Sequence, residues 1–312
     1  MRDLTVLIPV RVDSLVRLEN VLAVIRYLYR YFDVNLMVLE ADRYDNGILR
    51  SLLPQDVAYI FVPDTDPVFY RTKYINQMAM NATSDYLAVW DADVIFSPSQ
   101  VYEALVSLRS GKYEVCYPYD GVFLDTSKLI REFYLENGDV AVLEDFKKMM
   151  FAPYGPGVRG GAFLVNARAY RASGMENQNF YGWGPEDWER YERWANLGYR
   201  IGYAKGCLFH LSHPRDLNGY HNSNQQKMFS YYVKDTTLFS SKEEIQKRMG
   251  LQLYIIRKTK CYRFTKRNVP KRKTKRLRYR CPPEPYSNSV RTDFFSYPNA
   301  IILENQQINT SI

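Results

Sequence analysis

The sequence predicts an α/β domain: a Rossmann-like, mostly parallel central sheet flanked by helices, followed by a basic C-terminal extension. Three observations carry this. Short apolar runs alternate with segments of helical periodicity from Leu4 to Trp90, the pattern of repeated strand–helix units. Charged residues gather where those runs end, at Arg11, Asp13, Glu40, Asp42, Asp91 and Asp93, and in such sheets ligands bind beyond the carboxyl ends of the strands. From about residue 250 the pattern dissolves, and between Arg257 and Arg280 there are 13 Lys or Arg and no acid. A domain over 1–250 and an extension over 251–312 are expected.

The elements follow in order. Residues 4–10, LTVLIPV, read as a buried strand. Asp13 or Ser14 can cap the next helix, whose apolar positions Leu15, Leu18, Leu22, Ile25 and Leu28 have helical spacing. A second strand is predicted over 34–40. A turn at Asp45-Asn46-Gly47 precedes a short helix ending at Pro54, and a third strand covers 57–62. A helix over 71–82 leads to a strand over 85–90. Beyond residue 150 come a glycine-rich loop over 153–161, a short strand, a helix, and the cluster Tyr181-Gly182-Trp183-Gly184-Pro185-Glu186-Asp187. That cluster opens a helix with an apolar stripe at Trp188, Tyr191 and Ala195, closed by Gly198.

Of the 312 residues, 46% are apolar, enough for a sizeable core. The net charge of +8 belongs to the tail, because without its 13 cations 29 basic residues face 34 acidic ones. An anionic partner therefore belongs there too. A membrane surface fits: each Lys or Arg near anionic lipid contributes on the order of 1 kcal/mol. Tyr262, Phe264, Leu277 and Tyr279 would add interfacial burial. No run approaches the roughly 20 apolar residues that cross a bilayer, and Met1-Arg2-Asp3-Leu4 shows no signal-peptide pattern. Cys116, Cys207, Cys261 and Cys281 are scattered without metal-type spacing, as reduced thiols are. The expectation is a cytoplasmic protein, peripheral at the inner membrane through residues 257–280.

Asp91 and Asp93 raise the chemical question. In an extended segment, residues i and i+2 point to one side, so the two carboxylates can converge on one ligand. Adjacent carboxylates repel unless a cation joins them, and a hard divalent ion shared with substrate phosphates is the usual solution. The structural alternative is a turn or helix cap shaped with Ser97-Pro98. All three histidines, His210, His213 and His221, lie within twelve residues. Imidazole beside carboxylate and phosphate oxygens suits Mn²⁺ better than Mg²⁺. Glu186 and Asp187 open a helix, where the dipole stabilises an acid by roughly 0.3–1 kcal/mol. That accounts for one acid but not for the glycines flanking Trp183, which would let an aromatic face swing over a sugar ring.

The order Ile8-Pro9-Val10-Arg11, Phe69-Tyr70-Arg71-Thr72-Lys73, Asp91-Ala92-Asp93, Gly160-Gly161, Trp183-Gly184-Pro185-Glu186-Asp187 and His213-Pro214-Arg215-Asp216 resembles the GT-A fold glycosyltransferases. The likeness is to the β-1,4-galactosyltransferase-like group and its bacterial capsule and polysaccharide relatives, over roughly residues 4–220. It implies a UDP-sugar donor, a glycan acceptor, a Mn²⁺ (or Mg²⁺) cofactor and inversion at the anomeric carbon. Pro9, Arg11, Asp13, Asp42, Arg71, Asp91, Ala92 and Gly161 would form the donor site. Asp93, His210 and His213 would hold the metal. Asp187 would be the catalytic base, with Glu186 on a sugar, and Trp183, Gly184 and Trp188 would meet the acceptor. Vertebrate members carry a further acid where this chain has Trp188, so their acceptor preference does not transfer. Val158 stands near the position that restricts their donor to galactose, which leaves galactose and N-acetylgalactosamine in play. With such a tail the acceptor would be lipid-linked.

Two rivals remain. A nucleotidyltransferase also uses an α/β sheet and an Asp-x-Asp metal site, but has no need of a Trp183 lid and releases pyrophosphate. A nucleic-acid-binding protein could use the basic, aromatic tail, but would leave the acidic clusters unexplained.

Overall fold

The computed structural model describes residues 1–215 and 217–258. The elements are β1 (Leu4–Val10), α1 (Leu15–Tyr31), β2 (Asn35–Asp42), α2 (Ile48–Leu52), β3 (Ala58–Pro63), α3 (Arg71–Asn81), β4 (Tyr86–Trp90), β5 (Val94–Ile95), α4 (Pro98–Arg109), β6 (Val115–Tyr117), β7 (Val122–Asp125), α5 (Lys128–Asn137), α6 (Val140–Phe146), β8 (Ala162–Asn166), α7 (Ala167–Ala172), α8 (Glu186–Asn196), β9 (Ile201–Tyr203), β10 (Cys207–His210), α9 (Asn224–Leu238) and α10 (Lys242–Lys258). The main sheet has the order β3-β2-β1-β4-β8-β6-β9. Only β8 runs against the rest, pairing antiparallel with both β4 and β6. All seven residues of β1 are buried, as expected for a strand covered on both faces.

The second sheet is small and sets the site. β10 lies between β5, antiparallel, and β7, parallel. The register places His210 opposite Val94 on one side and Asp125 on the other. One strand end therefore meets both the Asp91–Asp93 turn and Asp125.

The expected strands and helices before Asp91 are present within a residue or two. β2 extends to Asp42 because Ala41 and Asp42 still pair with Val62 and Pro63. Ser14, not Asp13, caps α1, accepting from the Arg17 amide. Ser97 and Pro98 do shape a helix start, but that of α4, where Gln100 bonds back to the Ser97 amide. Asp93 is not that cap.

Helix α8 departs from its expected stripe. Trp188 and Ala195 face outward, and the buried face is Glu189, Arg190, Arg193 and Trp194. Apolar periodicity fails here because the buried charges are mutually satisfied. Arg193 bonds Glu189 and the carbonyls of Ser173 and Met175, and Arg190 pairs with buried Glu176 at 2.8 Å.

Helix α10 runs straight through the expected domain end at residue 250. Ile245 and Met249 pack with Leu197, and Gln252 donates to the carbonyls of Gly174 and Glu176 at 2.7 and 2.9 Å. Asp216, Cys261, Cys281 and all but the first two residues of the basic stretch lie outside the described residues. Among the described residues no helix is long and apolar enough to cross a membrane. Replacing Gln252 by Ala removes the donor to the Gly174 carbonyl and the acceptor of the Gln178 amide, while the Glu176 carbonyl keeps its bond from Asn76. This should destabilise the fold by about 1–3 kcal/mol in urea unfolding, whereas an unchanged midpoint would show that the end of α10 contributes nothing.

Candidate active site

At the carboxyl ends of β1 and β4 a cavity of about 600 Å³ opens. Every site residue expected from the sequence lines it except Asp42. The Asp42 carboxylate accepts from the adjacent Arg43 amide instead. Glu40 is likewise buried, accepting from the Tyr59 hydroxyl at 2.6 Å.

Asp91 and Asp93 line the same cavity but have different protein partners. The chain turns immediately after β4, so the i, i+2 rule for extended segments does not hold there. Asp91 accepts from Arg71 at 2.5 Å. Asp93 faces the histidines, its Oδ2 3.1 Å from His213 Nε2 and 3.7 Å from His210 Nε2. These three ligand atoms lie within 4.8 Å of one another. The third histidine stands apart, its ring edge-on to Trp183 at 4.8 Å.

Both metal-type histidines are oriented from behind. His213 Nδ1 is 2.8 Å from the Pro214 carbonyl, which can only accept, so Nδ1 donates there and Nε2 faces Asp93. His210 Nδ1 meets Asp125 Oδ1 at 2.8 Å, which orients the ring with Nε2 toward Asp93. Burial alone would lower the His210 imidazole, but Asp93 and Asp125 outweigh it and raise it to about 9. Burial likewise pushes Asp93 up, and the two histidines override that and hold it well below the usual carboxylate range. One carboxylate and two Nε2 atoms, each fixed, fit a divalent transition-metal ion. Sequence reasoning missed Asp125, for which the only available signal was its place at the end of a strand.

On the β1–β3 side, Arg11 is a hub. It donates to the carbonyls of Ala41 and Asp66 at 2.9 and 2.8 Å and to Asp64 Oδ2 at 3.0 Å. Arg11 thus ties three strand ends together, and the acid beside it is Asp64, which also accepts from Tyr74. Glycine is required at Gly161, where φ is +86° and a Cβ would fall 2.2 Å from Leu208 Cδ1.

The α8 start presents the two acids differently. Asp187 Oδ1 accepts from Arg190 Nη2 at 2.7 Å, while Oδ2 lies over Gly160, where a Cβ would come within 2.7 Å. Glu186 Oε2 is buried with no hydrogen-bond partner. Burial, helped by Asp187, raises the Glu186 carboxyl to about 8, so it is neutral at pH 7. A neutral carboxyl can donate a hydrogen bond as well as accept one.

Residues 145–222 match the family model described as the N-terminal domain of galactosyltransferase. No curated protein sequence matches the chain significantly. Among solved structures, the catalytic domain of Drosophila β1,4-galactosyltransferase 7 in complex with xylobiose is 18% identical. It covers 73% of this chain and 79% of its own, with a TM-score of 0.47. A Pyrobaculum calidifontis mannosyltransferase in complex with GDP-Man and Mn²⁺ is 14% identical, covering 83% and 76%, with a TM-score of 0.46. Glucosyl-3-phosphoglycerate synthase from Mycobacterium tuberculosis is 15% identical over 68% and 73%, with a TM-score of 0.41. The mostly parallel sheet, the Asp-x-Asp turn at the end of β4 and the galactosyltransferase-type segment are features this chain has in common with the GT-A glycosyltransferases.

Two outcomes are expected. Asp125→Asn should weaken Mn²⁺ binding by about 10-fold or more in calorimetry, because the His210 ring loses its anionic support. Equal affinity would separate Asp125 from the metal centre. For Glu186, the raised folded value means the native state holds a proton that the unfolded chain releases above about 4.5. This contribution to stability is therefore lost as pH rises toward 8, and Glu186→Gln should flatten that part of the stability profile in denaturant titrations. A mutant profile parallel to wild type would rule the assignment out.

Proposed function

We propose that this chain is a metal-dependent inverting glycosyltransferase. It moves a hexose or N-acetylhexosamine, galactose or N-acetylgalactosamine favoured, from a UDP-sugar to a glycan acceptor in surface polysaccharide synthesis. The observation that carries the proposal is the convergence of Asp187, Glu186 and the Asp93–His210–His213 cluster on one cavity. Mn²⁺ is the ion the donor set suits best, with Mg²⁺ next; bound there, it would offset charge on the departing diphosphate.

The protein groups do the rest. Arg11 and the strand ends it ties together shape the nucleotide end. Arg71, held by Asp91, lies close to the leaving group. Asp187 takes the proton from the acceptor hydroxyl as that oxygen attacks the anomeric carbon. Arg190 fixes one oxygen of Asp187 and leaves the other facing the cavity over Gly160. The Arg190 guanidinium is shared with Glu176, so the base is positioned by a fully buried ion pair. Trp183, Gly184 and Trp188 face the acceptor, and Trp183 helps exclude water that would otherwise hydrolyse the donor. The basic stretch over 257–280 would keep the enzyme near lipid-linked acceptors on an anionic membrane.

UDP-sugars should release UDP, not pyrophosphate, with Mn²⁺ present, and release should stop in excess chelator. Release of pyrophosphate would point to a nucleotidyltransferase. Asp187→Asn should cut turnover by about 10²-fold or more while UDP-sugar binding by calorimetry stays near wild type; near-normal turnover would remove Asp187 from the mechanism.

A further inference from the structure

Among the cavity cations that the proposed reaction has not used, Arg17 pairs with Asp13 and Arg215 bonds the Tyr154 hydroxyl, which leaves Arg159. Arg159, on the glycine-rich loop, sits among four aromatic rings. Its guanidinium carbon is 4.6 Å from the Tyr191 ring centre, 4.8 Å from Tyr203, 5.8 Å from Trp188 and 5.9 Å from Tyr117. Its Nε is buried without a hydrogen-bond partner, and its one hydrogen bond is a long 3.3 Å contact to the neighbouring Val158 carbonyl. The other cavity arginines near the reacting groups have carboxylates: Arg11 has Asp64 and Arg71 has Asp91. Among the described residues no carboxylate lies within 4.0 Å of Arg159. Rings on several sides keep water from a guanidinium and hold its plane, so an anion reaching its open edge meets a strong, oriented donor.

Position says which substrate this serves. Tyr117 and Tyr203 end β6 and β9, at the opposite edge of the sheet from β1, β2 and β3, with β4 and its Asp91 between. Arg11 and Asp64 occupy that other, nucleotide end. Arg159 adjoins Gly160, which lies under Asp187, and its carbonyl accepts from Arg190 at 3.4 Å. It therefore stands beside the base and away from the nucleotide, where an acceptor sugar would lie.

We infer that Arg159 recognises an anionic group, a carboxylate or a phosphate, on the acceptor, making the enzyme selective for acidic glycans. The inference rests on the transferase reading for its setting, and adds the substrate class. Acidic groups on the acceptor must then be installed by an earlier step, such as oxidation of a hexose to a uronic acid or phosphorylation of a sugar.

The test compares three acceptor disaccharides: one ending in a hexuronic acid, its carboxyl-reduced neutral counterpart, and one ending in a hexose phosphate. Binding to the full chain with Mn²⁺ and UDP is measured by calorimetry, and transfer by kcat and KM. The wild type should favour one of the acidic acceptors over the neutral one by about 10-fold or more, and the preferred acid identifies the anion. Arg159→Gln should reduce that ratio by about 10-fold, mainly through KM, and Arg159→Lys should restore part of it. Equal binding of acidic and neutral acceptors by the wild type overturns the inference, whatever the variants do. So does a preference that survives Arg159→Gln. A protein that binds the acid through Arg159 yet releases no UDP from any UDP-sugar would retire the transferase reading and leave this inference standing.

Discussion

One backbone hydrogen bond organises the site: the Asp91 amide donates to the Gly161 carbonyl at 2.8 Å. It continues the antiparallel ladder that closes β8 onto β4, with Trp90 opposite Ala162. Because β8 runs against its neighbours, the chain that enters it arrives at the ligand-binding end of the sheet. The glycine-rich loop is thereby delivered beside the Asp-x-Asp turn. Gly160 comes to lie under Asp187 and Gly161 against Leu208, two approaches that leave no space for a side chain. A parallel strand in that place would enter from the far end of the sheet and leave the two aspartates without a floor.

Much of this was legible in the sequence, and for identifiable reasons. Strands β1, β2 and β4 are apolar runs buried on both faces, so their identity is written in composition. Their ends are polar because a strand that stops at a ligand site has no further apolar surface to bury. The residues expected to line the site line the cavity, with Asp42 the exception. Asp42 fell outside because a carboxylate at a strand end can also satisfy its own chain, which no spacing reveals.

What the sequence hid were partnerships between distant residues. Asp125 is one acid among 34 until the register of a three-stranded sheet sets it beside His210. Arg190 and Glu176 read as surface charges, and only their pairing shows that they form the buried frame behind Asp187. The same holds for the face of α8, where mutual satisfaction lets arginines occupy positions that periodicity assigns to Trp and Ala. Charged cores are invisible to hydrophobic patterning because each charge becomes tolerable only through its partner.

The loop carrying Trp183 is held at both ends of the cavity. Tyr181 donates to Asp66 at 2.7 Å, and Asp66 in turn offers its carbonyl to Arg11 on the nucleotide side. From above, Gln226 at the start of α9 donates to the Tyr181 carbonyl at 2.5 Å, and His221 packs on Trp183. The flap is therefore no free shutter. Its seat is shared between the strand ends that would grip the nucleotide and the helix that would admit the second sugar. On the proposed function, such shared seating would make the two substrates partners in sequence rather than independent visitors.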